Sequence, residues 1–328
     1  DHRDLHSFPT RRSSDLQYLQ RQQSGAAVVL GIGDDAAIVR PLPGLDWCIS
    51  TDMLLAGRHF FADEAAADIA HKVLAVNLSD MAAMGAQPRW ALLSAALPQL
   101  NPVWLSSFCD SLFSLAAAHG VTLIGGDTTR GDYVFNITIG GTVPQGQGLR
   151  RSGAQVGDDI WLSGRVGLAA AALQQRLGRL RLPETVFAEC NQALLRPTPR
   201  VALGQALLGV ASAALDVSDG VAQDLQHILR ASGVGADVDT TQLPTLAALR
   251  QGLSESTLLP LLLAGGDDYE LLFTAAPAQR AAVAAAGIAS GTALSRIGTI
   301  TEQRQVLRCL DASGHLLKLD QQGYDHFG

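Results

Sequence analysis

Short apolar segments rich in Val, Ile and Leu alternate with longer helical stretches along this sequence, and this alternation restricts the chain to a mixed α/β architecture. In the first half, the pattern predicts helices over residues 65–84 and 102–119, because each stretch is followed by a glycine that can end a helix. The strand candidates around these helices are residues 26–30, 47–50, 91–97, 122–124 and 135–139.

A glycine-rich tract separates two such units. Residues 140–157 carry six glycines together with Pro144, a composition typical of a connection between domains. Because 328 residues are too many for one typical core, we predict an N-terminal domain over residues 17–147 and a C-terminal domain over residues 148–328. The strand candidates of the second domain are residues 159–163, 236–238 and 271–274.

Residues 1–16 do not share this periodicity. They contain no apolar stretch of the kind found in secretory signals. We therefore expect a disordered or non-native leader there and leave it out of the fold argument.

Composition argues against several classes of protein. The formal net charge of −7 is unlike a nucleic-acid-binding protein, which normally has a basic surface. The four cysteines are scattered without a C-x-x-C pair, which argues against a zinc site or a disulfide scaffold and fits reduced thiols. The apolar runs are interrupted by charge or diluted with Ala and Gly, so we expect a cytoplasmic protein without membrane contact.

Aspartates recur at the ends of apolar segments in five separate parts of the chain. Each one alone is better explained as a turn or helix cap, but five such segments together suggest one acidic site. Carboxylates gathered in a cleft repel one another unless a cation neutralises them, and oxygen ligands of this kind suit Mg²⁺. Ser50 and Thr51 would add further oxygens. The aspartates are Asp34, Asp35, Asp52, Asp80, Asp127, Asp216 and Asp219.

Asp80 gives the sharpest local argument. On a helix it shares one face with Ile69, Val73 and Val76, and that face is apolar. No Lys or Arg stands one turn away, so a buried carboxylate there would need a metal or another partner. The alternative is that the helix rotates or ends early and leaves Asp80 in solvent.

Glycines lie within three residues of most of these aspartates. Loops without side chains let backbone N–H groups approach phosphates closely, so glycine, carboxylate and Mg²⁺ together indicate a nucleotide site. Arg151 could reach a phosphate across the cleft or lie at the surface. His59 could bind an acceptor phosphate or simply pack, and spacing alone does not separate these alternatives.

Other nucleotide-binding and catalytic classes fit less well. Residues 31–36 match the G-x-G-x-x-A fingerprint of an NAD-dependent dehydrogenase with Asp52 about 20 residues on, but Pro41 and Pro43 interrupt the helix that the fingerprint must open. P-loop, protein-kinase and esterase motifs are absent from the sequence. A non-catalytic metal-binding module is disfavoured by the size of the acidic set and its spread over both domains.

An ordered set of motifs resembles the thiamine-monophosphate kinase family, a branch of the aminoimidazole ribonucleotide synthetase superfamily. Each motif alone is weak, whereas the order of all of them from residue 30 to residue 327 is specific. The motifs are GIGDDAAIV (31–39), STDMLLAGRHF (50–60), NLSDMAAMGAQP (77–88), IGGDTTRG (124–131), RSGAQVGD (151–158), DVSDG (216–220), GGDDYEL (265–271) and GYDHF (323–327).

The resemblance implies an α+β / α/β two-domain fold and a kinase that uses ATP and several Mg²⁺ ions to convert thiamine monophosphate into thiamine diphosphate. It further implies a homodimer whose N-terminal mixed domains pair through a shared β-barrel, each followed by a C-terminal α/β domain. Another ATP-using member of the superfamily, acting on a different acceptor, is the alternative.

The resemblance also implies roles for individual residues. Asp267 stands where many relatives have Glu, and the leader replaces the usual N-terminal segment, so contacts from these two regions depart from the family pattern. The implied metal ligands are Asp35, Ser50, Thr51, Asp52, Asp80, Asp127, Asp216 and Asp219; the implied ATP contacts are Gly126, Asp127, Arg151 and Ser218; the implied acceptor contacts are His59, Asp267 and Tyr324.

Overall fold

The structure, a computed structural model, describes residues 27–30, 36–40 and 42–317. In these residues the N-terminal half forms a four-stranded sheet and the C-terminal half a six-stranded sheet, with a small two-stranded ladder near the start. The two-domain mixed α/β architecture expected from the sequence is therefore confirmed. The domain limits at 17–147 and 148–328 stay predictions.

The N-terminal half combines its sheet with two helices. The sheet order is β3-β6-β4-β5, in which β4 and β5 run parallel and the other pairs are antiparallel. The elements are β1 (Val28–Leu30), β2 (Ile38–Val39), β3 (Leu45–Leu55), α1 (Ala66–Ala83), β4 (Gln87–Leu97), α2 (Pro102–Ala118), β5 (Thr122–Arg130) and β6 (Val134–Pro144).

The C-terminal half contains a six-stranded sheet of order β12-β9-β11-β7-β10-β8, antiparallel except for the β12–β9 pair. Its elements are β7 (Asp159–Ser163), α3 (Leu168–Arg176), α4 (Glu184–Leu195), α5 (Val201–Ala206), β8 (Ala213–Asp216), α6 (Val221–Ser232), β9 (Gly235–Asp239), α7 (Ala247–Gly252), α8 (Glu255–Leu263), β10 (Leu271–Ala275), α9 (Arg280–Ser290), β11 (Leu294–Thr301) and β12 (Leu307–Leu310), with short 3₁₀ turns at Thr240–Gln242 and Pro277–Gln279.

Helix α1 joins the two halves. It packs against α2 and the N-terminal sheet on one side and against α5 and β8 on the other. The approach to α5 is very close, because a Cβ atom added at Gly204 would lie 2.0 Å from the carbonyl oxygen of Ala82. One apolar cluster therefore runs through the junction and contains Phe135 of β6, Leu203 of α5 and Phe273 of β10.

Helix α1 is buried on more faces than the sequence predicted. The sequence suggested one apolar face that includes Val73 and Asp80, but Leu74, Leu78 and Met81 are also buried. The helix is buried nearly all round because it lies between two layers, and its buried residues include the polar Lys72, Asn77 and Ser79. Asp80 lies near the C-terminal end of α1 and is half-buried rather than in solvent.

The predicted helices agree with α1 and α2, and most predicted strands lie within longer observed ones. Sequence reasoning did not predict β8, β11 or β12. The shared β-barrel is not observed, because the four N-terminal strands form an open sheet in the described part of one chain. No helix among the described residues is long and apolar enough to span a membrane.

Candidate active site

A cavity of about 850 Å³ lies between the two halves of the molecule. Strand β3 and helix α1 contribute to its wall from the N-terminal half, while α3, α8 and the loops after β8 and α8 contribute from the C-terminal half. The structure thus gathers residues that are far apart in sequence. The sequence-predicted residues that line the cavity are Asp52, His59, Asp80, Arg151, Asp216, Ser218, Asp219 and Asp267.

Three carboxylates from different elements form the acidic part of this cavity. Asp52 comes from β3, Asp80 from the last turns of α1 and Asp216 from the end of β8. Ser50 donates a hydrogen bond to Asp80 Oδ2 at 2.5 Å, and Ser79 donates one to Asp216 Oδ2 at 2.7 Å. The side chains of Ser50 and Asp52 share one face of β3, as alternate residues of a strand must.

The pKa values of these carboxyl groups reflect burial and mutual repulsion. Burial, and then the charges of Asp80 and Asp216, raise the pKa of Asp52 to about 7. Burial, and then the charge of Asp80, raise the pKa of Asp216 to about 6. The pKa of Asp80 is also raised by burial, although the Ser50 hydroxyl and the Arg151 guanidinium oppose this shift. The cluster is therefore destabilised in its fully ionised form unless a cation is near.

The loop after β8 is organised by a residue that sequence reasoning missed. The carboxylate of Asp224, in the first turn of α6, accepts hydrogen bonds from the backbone N–H groups of Ser218, Asp219 and Gly220 at 3.0, 3.0 and 3.1 Å. Such a cap at a helix N-terminus determines the path of the preceding loop. An aspartate in the first turn of an amphipathic helix was the available signal.

The loop at residues 265–270 packs directly on this capped loop. A Cβ atom at Gly266 would lie 2.3 Å from the carbonyl oxygen of Ser218, so only glycine permits this approach. The backbone N–H of Asp267 then donates to the same Ser218 oxygen at 2.9 Å. Asp267 and Tyr269 both have positive φ angles, of 67° and 50°, which is rare for a tyrosine and marks a strongly constrained loop.

Asp267 has two further partners that sequence reasoning did not assign. Lys72 of α1 forms an ion pair with Asp267 Oδ2 at 3.1 Å, and the Tyr269 hydroxyl donates to Asp267 Oδ1 at 3.1 Å. His59 lies nearby, since Lys72 Nζ also donates to its carbonyl oxygen at 2.9 Å. The Leu55 N–H donates to His59 Nδ1 at 3.0 Å, so a neutral imidazole carries its proton on Nε2.

Several predicted residues lie elsewhere. The Thr51 side chain is on the opposite, exposed face of β3, where its hydroxyl donates to the Ile137 carbonyl oxygen at 3.0 Å. Gly126 and Asp127 are exposed on β5 and do not line the cavity. Asp35 and Tyr324 lie outside the described residues.

Two arginines on the cavity wall were not predicted. Arg58 follows β3, and Arg179 lies in the loop after α3, so each half contributes a cation besides Arg151. Both are exposed, and the sequence offered no motif that would have selected them. Together these cations balance part of the negative charge of the acidic wall.

The oxygen donors of the cavity wall fit a hard divalent cation that takes only part of its ligands from the protein. In the described ranges, no group of three or more His, Cys, Asp and Glu side chains has the arrangement of a complete metal site. Mg²⁺ commonly uses only one or two carboxylates, together with water and substrate phosphates. Asp52, Asp80 and Asp216 could supply such ligands from three elements.

Comparisons with known proteins agree with this architecture. Residues 33–143 match the family model described as AIR synthase related protein, N-terminal domain, and residues 155–309 match the corresponding C-terminal domain. The fold and the cavity thus define a two-domain protein of the AIR synthase related class.

Three relatives narrow this class. The thiamine-monophosphate kinase of Salmonella typhimurium is 44% identical over 313 residues, which cover 95% of this chain and 96% of the relative. The crystal structure of thiamine-monophosphate kinase from Stenotrophomonas maltophilia has a TM-score of 0.83 and 42% identity, covering 93% of this chain and 96% of that one. A structure described as AaThiL complexed with AMPPCP and TMP has a TM-score of 0.76 and 27% identity, covering 90% and 92%. The chain belongs to the thiamine-monophosphate kinase family.

Proposed function

We propose that this protein transfers the γ-phosphoryl group of ATP to thiamine monophosphate and releases thiamine diphosphate and ADP. The observation that supports this function most is the cavity between the halves, in which carboxylates from β3, α1 and β8 meet arginines from both halves. The family relatives named above carry this activity in their names, and one solved neighbour is described with AMPPCP and TMP bound.

Mg²⁺ would be held by Asp52, Asp80 and Asp216 together with phosphate oxygens of ATP. Bound there, it would neutralise charge on the phosphates and on the carboxylates themselves. The raised pKa values of Asp52 and Asp216, caused by burial and then by the charge of Asp80, support this assignment because a bound cation would favour the ionised carboxylates. Asp219 lines the same cavity and is the fourth candidate ligand.

The two sides of the cavity take different substrates in this proposal. The capped loop with Ser218 and the guanidinium of Arg151 bind the ATP phosphates, and His59 with Asp267 bind the acceptor. Close packing of the two loops supports this division, because it sets Asp267 beside Ser218 and so places donor and acceptor next to each other.

No residue needs to form a covalent intermediate. The terminal phosphate oxygen of thiamine monophosphate is already an anion, so it can bond to the γ-phosphorus while the bond from that phosphorus to the bridging oxygen of ADP breaks. The side chains of the cavity would then orient the two anions in line and offset their repulsion. On the family pattern, the proposed metal ligands also include Asp35, Thr51 and Asp127. The same pattern proposes Gly126 and Asp127 as ATP contacts and Tyr324 as an acceptor contact.

The homodimer is also a proposal. Strands β3 and β5 are the edges of the open N-terminal sheet, and the outer face of β3 exposes Ile49 and Met53 by 63% and 55%. Apolar side chains beside an open sheet edge favour pairing with a second sheet. A second copy that covers this face would complete the expected barrel and bury both residues. A cytoplasmic location is proposed on the same family pattern.

Ligand binding tests the assignment of the cavity. Thermal unfolding should be recorded with Mg²⁺, with AMPPCP, and with both, since a ligand that binds the folded state raises the midpoint by mass action. We expect Mg²⁺ and AMPPCP together to raise the midpoint more than the sum of the separate effects. If the thermal midpoint with millimolar Mg²⁺ and AMPPCP equals that of the ligand-free protein, a shared metal and nucleotide site is contradicted.

A further inference from the structure

Lys72 is a buried cation in the interior of the molecule. It is one of two lysines in the sequence, lies in the middle of α1 and is 2% exposed. A lysine is rarely buried to this extent unless its ammonium group is paired. Here Nζ donates to Asp267 Oδ2 at 3.1 Å and to the His59 carbonyl oxygen at 2.9 Å.

These two acceptors come from different halves of the molecule. His59 follows β3 in the N-terminal half, and Asp267 lies in the loop after α8 in the C-terminal half. Both residues line the cavity, whereas Lys72 does not contribute to the described part of its wall. Lys72 thus contacts both candidate acceptor-binding residues from behind.

The carboxylate of Asp267 is oriented through both of its oxygens. Lys72 binds Oδ2 and the Tyr269 hydroxyl binds Oδ1, while the backbone at Asp267 has a φ angle of 67°. The Asp267 side chain is nevertheless 29% exposed and lines the cavity. Its direction therefore depends on the ammonium group of Lys72, which is the charged partner of this side chain in the described part of the chain.

We propose that Lys72 is a positioning residue that fixes Asp267 and the His59 segment in the orientation needed to bind the phosphorylated acceptor. The proposal rests on the proposed function, in which Asp267 and His59 contact that acceptor. Lys72 acts only through these residues and does not touch the nucleotide. Loss of its charge should therefore weaken the acceptor side of the cavity and leave the nucleotide side unchanged.

The test is a double-mutant cycle between Lys72→Met and Asp267→Asn, followed by calorimetric titration with thiamine monophosphate and, separately, with Mg²⁺ and AMPPCP. We expect Lys72→Met to weaken thiamine monophosphate binding about tenfold, the typical effect of losing one charge-assisted hydrogen bond. AMPPCP affinity should stay within about twofold of wild type by the same scale. The double variant should lose less acceptor affinity than the two single losses combined, because part of the effect of Lys72 acts through Asp267.

Three further variants make the result decisive. Lys72→Arg keeps the charge and should restore most of the acceptor affinity, and Lys72→Gln replaces Lys72→Met if the latter does not fold. Arg308→Met removes a more exposed ion pair, with Asp237 on the C-terminal sheet, and should change neither affinity. Additive effects of Lys72 and Asp267, or an equal loss of AMPPCP affinity, would overturn the positioning role. Absence of thiamine monophosphate binding to the wild-type protein would instead contradict the proposed function.

Discussion

At the scale of single residues, the cavity depends on carboxylates that the fold forces together. Burial raises the pKa of Asp52, Asp80 and Asp216, and the charge of Asp80 raises the pKa of Asp52 and of Asp216 further. A folded-state pKa above the unfolded value means that ionisation of these groups opposes folding as the pH rises through the range between the two values. Near neutral pH the cluster therefore lowers the free energy of unfolding of the metal-free protein. Its presence is explained by function rather than by stability.

Replacing Asp80 by Asn should separate function from stability. Turnover should fall about a hundredfold or more, since Asn removes a carboxylate that would hold the Mg²⁺ whose charge offsets that of the phosphates. The thermal midpoint of the metal-free variant should be no lower than that of wild type at pH 7, because a repelling carboxylate is lost. The matched control is Asp63→Asn, which removes an exposed carboxylate outside the cavity. Near-normal turnover of Asp80→Asn would exclude Asp80 from the site.

The residue scale also shows what sequence can and cannot reveal. The aspartates could be selected because they recur at the ends of apolar segments in five separate parts of the chain. Lys72 could not, because its importance comes from an ion pair with Asp267, which lies 195 positions away in the sequence. A lysine inside an apolar helical stretch was a signal, but it did not indicate a partner.

At the scale of elements, the site is built on two loops that pack against each other. The backbone of the loop after β8 donates hydrogen bonds to the carboxylate of Asp224. The loop after α8 packs on the loop after β8 through Gly266 and through the backbone N–H of Asp267. Their shape is thus determined by backbone hydrogen bonds rather than by the side chains that face the cavity. This explains why the DVSDG and GGDDYEL motifs, separated in sequence, belong to one site.

Replacing Asp224 by Ala should disturb the nucleotide side of the cavity. Three backbone N–H groups would lose their acceptor, so we expect a loss of about 1–3 kcal/mol in the free energy of unfolding. The KM for ATP should rise because Ser218 is no longer held in place. Asp224→Asn retains an oxygen acceptor and should show a smaller effect in both measurements. Unchanged denaturation and unchanged KM in Asp224→Ala would show that the cap does not organise the loop.

Element prediction from the sequence was good for helices with clear ends and for strands with apolar alternation. It failed where tertiary contacts decide. Strand β8 is a short buried segment in an Ala-rich region, and β12 is an edge strand that pairs in parallel with β9. Such segments show little alternation of apolar and polar residues, and they form strands because they pair with neighbouring strands of the sheet.

At the scale of the whole molecule, one apolar cluster around α1 is shared by the two halves, and a second cluster lies within the C-terminal half. The apolar cluster of the N-terminal half continues into α5, β8, β10 and α9. A chain with this continuity should unfold as one unit, even though it contains two sheets. The sequence suggested two domains from the glycine-rich tract but not how closely α1 would join them.

Gly204→Ala should test this junction. Its Cβ would lie 2.0 Å from the Ala82 carbonyl oxygen, so α1 and α5 must separate, and we expect a destabilisation of about 1–3 kcal/mol with lower activity. Gly252→Ala is the matched control, because nothing lies within 4 Å of its added Cβ. Calorimetry should show one transition for wild type. Two separate transitions in the wild type, or equal stability of the two variants, would contradict a shared core.

In the proposed function, phosphate passes from ATP to thiamine monophosphate in the cavity between the halves. The most direct measurement incubates the protein with ATP, Mg²⁺ and thiamine monophosphate and then separates the products after oxidation to fluorescent thiochromes, with chelator and with Asp80→Asn as controls. We predict thiamine diphosphate and an equal amount of ADP, formed only with Mg²⁺ and at least about a hundredfold more slowly with Asp80→Asn. No thiamine diphosphate, or ADP formed at the same rate without the acceptor, would contradict the account.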